Sequence, residues 1–179
     1  MLNTTRTLGV AAILTALVTT SLAAQPPADQ PDLLLASIQQ AARHVRSVFT
    51  TAAEQMSEED YAFKPTPEVR SFGQLLAHVA GTNYWFCSTA TGEKAPVSDV
   101  EKTITTRADI QRTLAESFDY CERAYAAMAD DVKAKALKQF MGKPLPALAV
   151  LNFRTYHSLL HWGNAITYMR LRGKVPPST

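Results

Sequence analysis

Very little in this chain is equipped for chemistry on its own. Its 179 residues include two cysteines and seven glycines, and neither set forms a known device. Cys87 and Cys121 stand apart with no CxxC context, which excludes a thioredoxin-like redox pair. There is no phosphate-binding glycine loop, no nucleophile elbow and no glycosidase-like pair of carboxylates. An excess of one charge is missing too: 18 Lys and Arg face 16 Asp and Glu, for a formal charge of +2. Lys133, Lys135, Lys138 and Lys143 make a mild basic stretch that reads as a solvated face. Near-neutrality therefore speaks against nucleic acid as a partner. No segment alternates as a strand would, and there is no internal repeat or low-complexity tract. Past residue 24 no run is apolar enough to span a bilayer.

What is present begins with an address. Arg6 is the only charge before an apolar run from Leu8 to Leu22, which ends in Ser21-Leu22-Ala23-Ala24-Gln25. A basic start, an apolar stretch and small residues at a cut site predict a secretory signal peptide over residues 1–24, cleaved after Ala23 or Ala24. An uncleaved membrane anchor is the alternative. Residues 25–179 are then one exported domain, periplasmic or secreted, long enough for a full hydrophobic core. Loss of Arg6 takes its formal charge from +2 to +1. In such a compartment Cys87 and Cys121 can be oxidised. A bridge would add roughly 3–4 kcal/mol in the chain-entropy picture; two unpaired, partly buried thiols are the other reading.

Helical periodicity dominates this domain. Leu34, Ile38, Ala41, Val45, Val48 and Ala52 make one apolar stripe over a first helix from about Asp32 to Met56. His44 lies beside it, on a flank. Pro65 and Pro67 break the connection that follows. Ser71-Phe-Gly-Gln74 reads as a capping box for a second helix, which carries Leu75, Leu76, Val79 and Phe86 and stops at Gly92. Its small residues Ala77, Ala80 and Gly81 leave room for a close neighbour. After a crossover of about a dozen residues, a third helix capped near Thr106 has the stripe Ile110, Leu114, Phe118, Cys121, Tyr125 and Met128. A crossover that long suits parallel neighbours. The fourth helix starts with Pro146 in its first turn and ends at Gly173. Its expected inward stripe is Val150, Phe153, His157, Leu160, Asn164 and Tyr168. The fold class is all-α, a four-helix bundle with a long crossover between helices two and three.

The chemistry concentrates in histidine. His157 and His161, four apart, share one helix face with Cβ atoms roughly 6 Å apart. His78 lies on the edge of another helix's buried stripe. Three imidazoles with one position left open form the ligand set of a catalytic divalent metal; histidines satisfied by hydrogen bonds within a core are the plainer reading. Ser158 follows His157, so the spacing lacks the metalloprotease glutamate. Chemistry here would use metal-bound water or a thiolate in the open position. Glu116, Asp119 and Glu122 are candidate proton acceptors or supports for the ligands, and equally a solvated face. Asn164 and Tyr168 are candidates to orient ligands.

Two segments carry a resemblance. Phe72-Gly-Gln-Leu-Leu-Ala-His78, preceded by Lys64-Pro-Thr-Pro67, resembles the second-helix signature of the DinB-like superfamily of metal-binding four-helix bundle proteins. Tyr156-His-Ser-Leu-Leu-His-Trp-Gly163, continuing through Tyr168-Met-Arg-Leu-Arg-Gly-Lys-Val-Pro-Pro177, is similar to its closing signature. The resemblance spans essentially the whole exported domain and places His78, His157 and His161 at the family's metal triad. It implies a divalent ion, commonly zinc or nickel, a bundle that is often a homodimer, and activities that include thiol-dependent transfer, isomerisation and hydrolysis. Asn164 stands where the family often has Gln, so contacts near it do not carry over. Thiol cofactors are kept in the cytoplasm, and export therefore favours a metal-dependent hydrolase acting on a small molecule. A thiol-dependent S-transferase and a non-catalytic periplasmic bundle that captures metal or a small ligand are the alternatives. The family's DNA-damage name implies no DNA binding.

Overall fold

Asp32 starts the first helix: its carboxylate accepts from the Leu34 and Leu35 N–H groups at 2.9 and 3.1 Å, and α1 runs Leu33–Gln55. The computed structural model describes residues 32–177, so the expected signal peptide lies outside the described residues. A short α2, Glu58–Ala62, follows with a capping box between Ser57 and Asp60. The Ser71–Gln74 box opens α3, Phe72–Thr91, and Gly92 closes it at φ 83°, where a side chain would be strained. The crossover contains one turn of helix, α4, Val100–Thr103. Thr106 caps α5, Arg107–Ala127. Then come α6, Asp131–Lys135, and α7, Ala147–Leu171. Pro146 sits at the cap of α7, one place before the first turn.

The sequence reading missed a hairpin between α6 and α7. Strands β1, Leu137–Phe140, and β2, Lys143–Pro146, pair antiparallel with Phe140 opposite Lys143. Met141 and Gly142, at φ 48° and 80°, make the two-residue turn whose twist suits such a hairpin. Strands of four residues, one holding two prolines, are too short for alternation to register.

Contacts between α1, α3, α5 and α7 fix the helix directions. Asn83 donates to Ser117, and Cys87 is bonded to Cys121; numbers rise together, so α3 and α5 are parallel, as the crossover length predicts. Against α7 they run opposite: His78 faces His157 and His161, Asn83 meets Arg154, and Phe86 meets Phe153. Against α5, α1 is antiparallel, with Arg46 on Glu122 and Arg107 on the Glu54 and Met56 carbonyls. The result is a four-helix bundle whose core runs through Phe49, Phe72, Phe86, Leu114, Phe118 and Trp162. No helix among the described residues is long and apolar enough to cross a membrane.

Two stripes differ from expectation. At the start of α1 the buried residues are Leu35 and Ala42, while Leu34 is 63% exposed. On α7 the buried stripe is Val150, Leu151, Arg154, Thr155, Ser158, Trp162 and Ala165, and Phe153 and Leu160 face outward. That helix is apolar on more than one face, so periodicity alone does not select the inner one. The α5 stripe is buried as expected.

The bridge between Cys87 and Cys121, with Cα atoms 5.4 Å apart, ties α3 to α5 near their C-terminal ends. Its reduction, or the Cys87→Ser, Cys121→Ser double variant, is expected to cost about 2–4 kcal/mol. Denaturant unfolding with and without dithiothreitol measures this, and coincident midpoints would contradict it. A second tie joins buried Asp60 to Arg172 at 2.5 Å. Burial by itself raises the Asp60 carboxyl, but Arg172 and the Ser57 N–H and hydroxyl donate to it and hold its pKa at about 2, below the ordinary 3.8. A depressed carboxyl contributes stability above its unfolded pKa and loses it as pH falls toward the folded one. Asp60→Asn should therefore lower stability at neutral pH by about 1–2 kcal/mol, allowing for screening on the solvent side. It should also flatten acid unfolding between the ordinary 3.8 and about 2.

Candidate metal centre

The three predicted histidines come together, each placed by a simple local rule. The Ser71 cap fixes where α3 begins, and His78 falls two turns later among buried Ala77 and Val79. On α7, four-residue spacing stacks His157 and His161 along one face. One ligand-capable atom from each of the three lies within 4.8 Å of the others. The Nε2 atoms of His157 and His161 are 3.2 Å apart. Two nitrogens on one tetrahedral ion, bonded at 2.0–2.1 Å, stand roughly 3.3 Å apart. That spacing fits two ligands sharing an ion.

His78 has a carboxylate behind it. Its Nδ1 lies 2.5 Å from Glu101 Oε1, and the other Glu101 oxygen accepts from Arg70 Nε at 2.8 Å. With the proton on Nδ1, the lone pair is on Nε2, the arrangement typical of a metal-ligating histidine. Burial pushes the Glu101 pKa up, but its bonds to Arg70 and His78 outweigh that and hold it below the usual range. The backbone carbonyl of Arg70 in turn accepts from the Tyr168 hydroxyl at 2.7 Å.

His157 and His161 are half-buried, and their Nδ1 atoms have no partner. Burial, then His78, Arg154 and Arg70, lowers the pKa of His157 below its ordinary 6.5. Burial, then His157 and His78, pushes His161 down to about 4. Both are neutral at pH 7 and able to donate a lone pair. Their rings are set by packing: Phe86 lies against His157 at 5.3 Å and continues through Phe140 and Phe153 into an aromatic wall. Trp85 and Phe153, 46% and 43% exposed, carry that wall to the surface. Beside Glu101 is a cavity of about 260 Å³ lined by Thr82, Trp85 and Val100 and by the charged Asp99 and Lys102. The residues present thus suit a divalent ion, and an apolar surface begins at Phe86 beside His157.

Other sequence candidates are elsewhere. Asp119 and Glu122 pair with Arg46 at 2.6 and 2.8 Å, and Glu116 is exposed; none of the three supports a histidine. Asn164 is exposed on α7 instead of lining the site. Tyr168 is buried and spends its hydroxyl on the Arg70 backbone, stacking edge-on with Phe63. His44 is exposed on α1. Glu101, the carboxylate that does reach the triad, was not singled out because it sits in the crossover, where no periodicity operates. Gly81 gave no pointer to it: a Cβ there would meet Val100 at 3.4 Å, an ordinary contact, so α4 packs beside His78 without requiring the glycine.

Residues 35–165 match the family model described as the DinB superfamily. Among solved structures, a DinB-like protein from Bacillus cereus has TM-score 0.70 at 16% identity, covering 80% of this chain and 96% of that one. A DinB-like protein from Bacillus subtilis, YjoA, has TM-score 0.66 at 19% identity, covering 79% and 96%. YfiT from Bacillus subtilis, described as a probable metal-dependent hydrolase with an unusual four-helix bundle topology, has TM-score 0.59 at 15% identity, covering 84% and 94%. At such identities the likeness is one of fold. No curated protein matches.

Glu101→Gln keeps the shape but removes the charge behind His78. Calorimetric titration with a divalent ion is expected to show about 10–100-fold weaker affinity than the parent, with helicity unchanged by circular dichroism. Equal affinities would remove Glu101 from the site.

Proposed function

The chain belongs to the DinB superfamily, and we propose that it is an exported divalent-metal-dependent hydrolase whose ion is held by His78, His157 and His161. The observation that carries this reading is the convergence of three imidazoles from two helices with a carboxylate behind one of them. The description of YfiT as a probable metal-dependent hydrolase supports the same class. Three imidazoles suit zinc or nickel among the divalent ions. Export to the periplasm or beyond is supported by residues 1–24 and fits the Cys87–Cys121 bridge.

Bound there, the ion would supply Lewis acidity, polarising a substrate oxygen and acidifying water. The chain's own residues do the rest. Glu101 holds His78 in the tautomer that ligates and draws positive charge toward that ring. Phe86 fixes the plane of His157. Trp85 and Phe153 offer an apolar surface beside the triad, so the substrate is a small molecule with an apolar or aromatic body next to its hydrolysable bond.

Elemental analysis of the untagged mature protein is expected to find about one equivalent of zinc or nickel, and none in a His78→Ala, His157→Ala, His161→Ala variant. Turnover of aryl ester, amide or phosphoester substrates should be lost in that variant. Absence of metal from the parent after reconstitution would sink the metalloenzyme reading. Metal with turnover only when a low-molecular-weight thiol is added would replace hydrolysis by thiol transfer.

A further inference from the structure

A second cavity, of about 230 Å³, lies between α1 and α5 and is lined by none of the three histidines. Ala42, Phe118 and Ala126 give it an apolar wall, Arg43, Arg46 and Glu122 a charged one, and α7 contributes one residue to it, Arg154. That arginine is 1% exposed. Its Nε donates to Asn83 Oδ1 at 2.7 Å, and its guanidinium lies over the Phe118 ring at 5.0 Å. No carboxylate among the described residues is within ion-pair reach of it, and its Nη2 is buried with no partner. A guanidinium that stays charged, without a counter-ion and with a free donor, is costly to keep in a core.

From the unpaired Arg154 and the cavity it lines, we infer that this cavity is a binding site for a small monocarboxylate with an apolar body. The carboxylate meets the Arg154 donor, and the body lies on Ala42, Phe118 and Ala126. A single carboxylate suits the charges that line the cavity: Arg46 is taken up by Asp119 and Glu122, Glu122 itself lines the cavity, and Arg43 adds one further positive charge to its wall. Volume sets the size: a cavity of about 150 Å³ holds benzene, so this one holds a benzoate- or hexanoate-sized acid. Ser158 Oγ and Trp162 Nε1 are also buried without partners on the same face of α7, but neither lines the cavity, and the inference rests on Arg154.

The test titrates full mature protein, kept metal-free with a chelator so that the histidines bind no acid through an ion, with benzoate, hexanoate and neutral benzamide. The readout is amide chemical-shift changes. Benzoate or hexanoate is expected to bind with a Kd of about 1 mM or tighter and to shift residues of α1 and α5, with benzamide at least about tenfold weaker. Arg154→Met should abolish binding, but it also leaves Asn83 Oδ1 without its donor and can misfold. Ala126→Trp is therefore the second variant: Ala126 is exposed at the rim, so the indole fills the cavity without touching the core. It should weaken benzoate about tenfold or more with the fold intact. Benzamide binding as well as benzoate, unchanged affinity in Ala126→Trp, or no shift with either acid would each overturn the proposal and leave a water-filled cavity only.

Discussion

The packing of α3 against both α5 and α7 is the constraint on which the rest depends. Phe72, Leu76, Val79, Phe86 and Cys87 are almost completely buried on this one helix, because a parallel neighbour, an antiparallel neighbour and the crossover all close on it. Small residues make that possible: Ala77 and Ala80 are buried without bulk, and Val100 packs over Gly81. The same closure brings α7 within reach of His78 on one side and lowers Glu101 onto it from the other. A triad drawn from two helices and supported by a loop is thus a consequence of how tightly α3 is surrounded.

Register within that packing is set by polar groups more than by apolar ones. Hydrophobic contact is tolerant of sliding, but Asn83 donates to Ser117 on α5 and accepts from Arg154 on α7. A slip of one turn in either pair would break one of these bonds and leave a buried amide or guanidinium without it. The bridge from Cys87 to Cys121, one turn beyond Asn83 and Ser117 on each helix, holds the α3–α5 register covalently. His78, just over one turn before Asn83, meets His157 and His161 only in that same α3–α7 register. The network in the core and the site at its edge are therefore fixed together.

The helices and their ends were legible because caps are local. Ser71 with Gln74, Thr106 with Asp109, Gly92 and Gly173 each act through backbone groups a few residues away, and each stands where the sequence places it. The histidines were legible for the same reason, since four-residue spacing is a property of one helix. What was not legible depends on partners distant in sequence. Glu101 reaches His78 through the path of the crossover. The inner face of α7 is chosen by what α1, α3 and α5 offer it, and so Arg154 and Ser158 are buried while Phe153 and Leu160 are not. The Cys87–Cys121 pairing likewise followed only once α3 and α5 were known to run parallel.

Identities of 15–19% to structures of the same fold mean that the frame survives almost complete replacement of its sequence, and chemistry has to be sought in the few residues the frame does not require. Glu101 is one of these, and its tether to Arg70 bears on what the triad can do. A free carboxylate next to three imidazoles would swing in as a fourth ligand and close the coordination shell, as in a structural site. Here one oxygen is engaged by His78 and the other by Arg70, and Arg70 is itself anchored through its carbonyl to Tyr168 of α7. The carboxylate is held behind an imidazole, where it would strengthen that ring as a ligand without becoming one itself. Held by three imidazoles and no carboxylate, a divalent ion would keep most of its charge, which is what polarising a substrate oxygen or acidifying water requires.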